Sequence, residues 1–212
     1  MSLDRETLSL LRPAPAEPPE WTRLEFHRCP NCPLDPAQHP HCPVAVSMVE
    51  MVEALKDRNS YDEVEVVVEA PSRTYSKRTP LQGAVSSLLG LLMTTSGCPI
   101  LDRLRPMVET HLPFMTRHEA LYRILTMYLL AQYFIEARGE QGGDWSLEGL
   151  VRSMDDIHTV NVSFCKRLNS IPIKDASVNA VVILSTLGDF PSRRITQKDL
   201  ARLARLFQRY VG

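Results

Sequence analysis

The chain has 212 residues, 44% of them hydrophobic and 23% charged, the balance of a folded protein with enough apolar mass for a real core, which excludes a fibrous or disordered chain. Lys and Arg number 24 against 25 Asp and Glu, a formal net charge of -1, which excludes whole-molecule attraction to nucleic acid or anionic lipid. The longest apolar run, around Ala84 to Met93, is broken by Ser86, Ser87 and Gly90 and falls far short of the roughly 20 residues that span a bilayer.

Residues 1–25 show no basic region followed by an apolar stretch of the secretory kind, so a cytoplasmic address is expected. The prolines from Pro13 to Pro19 fix their own backbone and restrict the residues before them, which predicts an extended, polyproline-like strap. Residues 1–43 read as this strap plus a Cys/His knuckle packed on a mainly helical domain, 44–212, the whole a single globular unit. Past Cys42, with Pro43 suited to the first helical position, Val46, Met48, Val49, Val52 and Leu55 share one helix face. In "EVEVVVEAPSRTYSK", Glu63 to Lys77, Val64, Val66 and Val68 alternate with acidic or exposed positions and the chain turns at Ala70 to Ser72, which predicts a hairpin. The segment "GCPILDRLRPMV" resembles "HCPVAVSMVEMV" locally, so a further helix is expected to begin at Cys98.

Thr116 and Glu119 form a capping-box signature ahead of a helix whose Leu121, Ile124, Leu125, Tyr128, Leu129 and Phe134 are expected to be buried, ending near Gly139. Ser146 opens a helix toward Leu168, Asp175 another toward Leu187, and Thr196 with Asp199 cap a last one reaching about Tyr210. The expected fold class is mainly α (α+β), a helical bundle-like core with one small hairpin.

The chemistry concentrates in "CPNCPLDPAQHPHCP", Cys29 to Pro43. Cys29 and Cys32 have the two-residue gap that lets two thiolates share one ion, and in a reducing compartment five cysteines favour metal or thiol chemistry over disulfides. Cys42 adds a third thiol. The fourth donor is His39, which closes the pattern Cys-x2-Cys-x6-His-x2-Cys, or His41, whose position next to Cys42 makes joint ligation harder, or the distant Cys98. Four of the five cysteines precede proline, and a thiol at a helix start is stabilised as thiolate by exposed amides, so Cys42 and Cys98 are expected to be the more acidic. Nearby histidines favour zinc; four cysteines also suit a [4Fe-4S] cluster, although the compact ferredoxin spacing is lacking. The plain alternative is small buried thiols without metal.

Cys98 with His111 forms a candidate nucleophile and base for thiol chemistry, outweighed by the reading of His111 as a helix-end residue. Cys165 reads as packing. Asp155, Asp156, His158 and Asn161 lie close on one helix, where a solvated face is favoured over half a metal site because no second helix matches them. The last helix carries Leu200, Leu203, Phe207 and Tyr210 with Lys198, Arg202, Arg205 and Arg209, after Arg193 and Arg194; closing a core is favoured over docking on an acidic partner, nucleic acid or lipid. A similar reading covers Arg73, Lys77 and Arg78. Neither a phosphate-binding Gly-x-x-x-x-Gly-Lys loop nor a Gly-x-Ser-x-Gly elbow occurs.

With "CPNCPLDPAQHPHCPVA", the "PPEWTRLEF" lead, "LLMTTSGCPIL" and "HLPF", the chain resembles an uncharacterised bacterial family, a domain of unknown function, over most of its length. The resemblance implies a bacterial cytosolic setting and a motif containing Cys29, Cys32, Cys42 and Cys98. It also implies an extended segment ahead of this start, so that Met1, Ser2 and Leu3 reflect a shortened or tagged chain. The expected function is a regulatory or protein-interaction module without catalytic activity, holding structural zinc and binding a protein partner or a second copy of itself. The alternative is an iron-sulfur or thiol-based redox protein or sensor.

Overall fold

Pro43 lacks the amide hydrogen that a first helical turn would leave unpaired, and α1 (Pro43–Leu55) begins there with Cys42 as its N-cap. The computed structural model describes residues 1–11, 15–70, 72–139, 142–171 and 197–211; the helix expected from Asp175 to Leu187 lies outside them, as does the Thr196 end of the last cap. The hairpin is present and runs longer than expected: β1 (Glu63–Ala70) pairs antiparallel with β2 (Arg73–Pro80), in a register that sets Glu63 opposite Pro80 and Val66 opposite Lys77.

The chain leaves β2 directly into α2 (Leu81–Thr95). Two of the amides that a helix start leaves without partners donate to backbone carbonyls just before β1, Leu81 N–H to Asp62 O and Gln82 N–H to Ser60 O. This helix is not among the sequence expectations, because its apolar residues run almost without a polar face and so lack a clear 3.6-residue period. It ends at Gly97, whose φ of 93° closes the C-terminus in the left-handed region open to glycine.

The helix expected from Cys98 is instead a turn followed by a 3₁₀ segment, Leu101–Leu104, and the short α3 (Pro106–Glu109). Arg105 and Pro106 explain the shift, since the prolyl ring favours the start of a new helix over the interior of an old one. The capping box forms as expected: the Thr116 side chain accepts from Glu119 N–H, and the Glu119 carboxylate accepts from Thr116 N–H, at the head of α4 (Arg117–Ala137). Leu121, Ile124 and Leu125 are buried, whereas Phe134 is 51% exposed, because the far half of α4 extends past the core.

α5 (Glu148–Asn169) starts two residues later than Ser146 suggested. Asp144 accepts from the Ser146 hydroxyl, from Gly149 N–H at 2.6 Å and from Tyr128 Oη at 2.7 Å. Those three donors hold its carboxyl well below the usual carboxylate range, while burial and the facing carboxylate push the Tyr128 phenol up to about 12. A depressed folded-state pKa contributes stability above the unfolded value, about 3.9, that is lost as pH falls. Asp144→Asn is therefore expected to melt below the parent at neutral pH, with the difference shrinking in acid; pH-dependent thermal unfolding checks this, and a pH-independent difference would contradict it.

One cluster of buried side chains joins α1, α2, α4 and α5 around Met48, Leu89, Leu121, Met154 and Leu168, and Trp21, Cys29, Cys42 and Cys98 pack against it. The chain closes with α6 (Gln197–Ala204), a 3₁₀ turn and α7 (Gln208–Val211). Phe207 stacks on Tyr122 of α4 with ring centroids 6.5 Å apart, and Arg202 bonds His118, while Tyr210 stays 88% exposed. The fold is mainly α with a small two-stranded sheet, as expected.

Candidate metal centre

Two backbone devices place the N-terminal cysteines. Arg23 and His41 form an antiparallel bridge, with Leu24 N–H donating to Pro40 O at 2.9 Å and Cys42 N–H to Thr22 O at 2.7 Å. The proline-rich lead is thereby stitched to the entrance of α1. Cys29 and Cys32 flank a tight turn in which Cys32 N–H donates to Cys29 O, and the Arg28 guanidinium closes the following loop on Leu34 O at 2.6 Å. Asn31, between those cysteines, reaches α5: its Nδ2 donates to Asp156 O at 3.0 Å. Asp156 in turn pairs with Arg103 at 2.7 Å. The knuckle is thus held to α5 mainly through the Asp156 backbone carbonyl, with the Asp156 carboxylate accepting from the same amide at 3.3 Å.

Cys29, Cys32, Cys42 and Cys98 line one small cavity of about 20 Å³, whose other walls include Leu24, Ile100, Val160, Phe164 and Arg167. The four thiols surround this space without closing on a point: among the described residues, no three His, Cys, Asp or Glu side chains form a group that could hold a metal ion. No disulfide joins the five cysteines among the described residues. Burial, followed by the charge of neighbouring Cys42, pushes the Cys29 thiol up to about 11. Cys42 and Cys98 correct the expectation of acidic thiols. The amides of Ala45 and Val44 act on the first and those of Leu101 and Ile100 on the second, as expected at helix or turn starts, but burial outweighs them and both are raised.

The histidines stand elsewhere. His39 is exposed, and His41 Nδ1 faces the Thr22 hydroxyl at 2.8 Å; neither lines the cysteine cavity. His111 lines a different cavity from Cys98. Cys165 packs against the core, as expected.

Sequence reading missed Arg167. Only 2% exposed, it donates to Trp21 O at 2.6 Å, to Arg23 O at 2.8 Å and to Leu24 O at 3.4 Å, while lying against the thiols. Among the described residues no carboxylate pairs with it; burial is the largest influence on its charge and lowers its pKa, and only ionisation of Cys42, Cys29 and Cys32 would oppose that. A signal was present: Arg167 follows Val160 and Phe164 at helical spacing, a cation on an apolar stripe.

A family model described as Domain of unknown function (DUF6901) matches residues 1–208. No curated protein and no solved structure matches the chain. No helix among the described residues is long and apolar enough to cross a membrane.

Proposed function

The chain belongs to the DUF6901 family, and we propose that it is an iron-sulfur protein in which Cys29, Cys32, Cys42 and Cys98 hold a [4Fe-4S] cluster that fastens the proline-rich lead to the helical core. The convergence of four thiols from three separate segments on one cavity beside a buried arginine carries this reading. Burying a guanidinium without a counter-charge is costly. A cluster bound by four thiolates carries net negative charge and would offset it.

The histidines that favoured zinc in the sequence lie outside the cavity, leaving an all-sulfur donor set, which iron-sulfur clusters take and four-cysteine zinc sites also take. Amide groups directed at Cys42 and Cys98, together with apolar walls, are the surroundings that tune such clusters. With every iron corner taken by a cysteine, no position remains for a substrate, which suits a regulatory or interaction module over an enzyme.

Metal and acid-labile sulfide analysis of anaerobically purified, untagged protein tests this. About four iron and four sulfide per chain with broad visible absorption are expected. One zinc in colourless protein would overturn the cluster while retaining the four-cysteine site, and metal-free protein would overturn both.

A further inference from the structure

α2, the 3₁₀ segment, α3, α4 and α5 enclose a second cavity of about 300 Å³, within the size range of small-molecule sites. Its walls are mainly apolar, and Met93, Met107, Met115 and Met154 supply four thioethers, flexible side chains that adapt to an occupant's shape. Two buried polar residues interrupt this lining: Ser86, 4% exposed, and Asn161, 2% exposed. Among the described residues, Ser86 Oγ and Asn161 Oδ1 have no hydrogen-bond partner. Such groups carry the full desolvation cost unless something bonds them.

Cations stand at the margin. Exposed Lys77 on β2 lies 5.6 Å from the Phe114 ring centroid. Arg123 braces the α3–α4 loop, donating Nη1 to Thr110 O at 2.6 Å and Nη2 to Met107 O at 2.7 Å, and its Nε is a buried donor without a partner among the described residues. His111 shares this wall; burial and then Arg123 hold it below its ordinary pKa, which favours a neutral ring. Polar atoms thus bracket an apolar chamber that has positive charge at its edge.

We propose that this cavity binds a carboxylic acid with an apolar body of about ten non-hydrogen atoms and one hydroxyl remote from the acid group. The size follows from the volume at about 30 Å³ per water-sized group. Arg123 Nε and Lys77 receive the carboxylate, charge-assisted donors facing a planar anion. The remote hydroxyl donates to Asn161 Oδ1 or accepts from Ser86, relieving a burial cost that nothing else in the described structure relieves. This assignment does not depend on the metal centre.

The test uses the whole, anaerobically purified chain with methyl-labelled methionine and three probes below their micellar concentrations: 10-hydroxydecanoate, decanoate and 1-decanol. Both acids are expected to shift the methyl signals of Met93, Met107, Met115 and Met154 and to leave those of Met48 and Met51 on α1 in place. Decanoate should bind roughly fivefold more weakly than 10-hydroxydecanoate, the worth of one net hydrogen bond. Lys77→Gln, at an exposed position, should weaken both acids severalfold without altering the melting of the free protein. Equal affinity for the two acids, a response to 1-decanol as large as theirs, or unmoved methionine signals would overturn the proposal.

Discussion

Arg167→Met is expected to lower the melting temperature of the metal-loaded protein by on the order of 10 °C. Methionine fills much of the same volume, so the loss is one of charge and hydrogen bonding. Three backbone carbonyls, of Trp21, Arg23 and Leu24, lose their donors, and the proposed anionic centre would lose its buried counter-charge. Stripping one partner from a buried ionic pair costs about 3–5 kcal/mol, and at this chain length each kcal/mol moves the midpoint by about 2–4 °C. Arg167→Lys should recover only part of the loss, because an ammonium keeps the charge but cannot reach three carbonyls as the planar fork does. Anaerobic thermal unfolding of the three proteins checks the prediction. A drop of only about 3 °C for the methionine variant would mean that nothing anionic sits in the cavity.

Cys98→Ser is expected to abolish metal retention, while His39→Ala leaves it unchanged. Sequence spacing offered His39, His41 and Cys98 as rival fourth donors, and only Cys98 borders the space shared with Cys29, Cys32 and Cys42. Because Cys98 belongs to the turn after α2, its loss should also unfasten the leading segment from the core. Limited proteolysis would show this as new cleavage between residues 21 and 43 in the serine variant and not in the histidine variant. Cys165→Ser, away from the cavity, serves as the folding control and should retain metal. Metal loss in His39→Ala with retention in Cys98→Ser would reverse the assignment.

The fold was legible where local chemistry is strong. Pro43 after Cys42, the Thr116 and Glu119 capping box and the valine alternation of β1 each act within a few residues, and each structure formed. α2 is not legible because a helix apolar nearly all round has little periodicity to read, and after Cys98 the local likeness to the start of α1 hides the break that Pro106 imposes. At the site, the thiols announced themselves by spacing and composition. Arg167 and Asn31 did not, since their contacts join residues more than a hundred positions apart. The raised pKa of Cys42 and Cys98 is hidden for a related reason: a helix start is visible in sequence, but the depth at which the core buries it is not.

Neighbouring residues on two elements look into different chambers. Ile100 and Val160 border the cysteine space, and Leu101 and Asn161 border the apolar one, so the same two elements line both rooms. Tightly packed interiors pass displacements on instead of absorbing them. A substitution that shifts α5 would therefore be felt by the lining of both, and the cysteine space and the apolar chamber are best perturbed from other elements when one is to be tested alone.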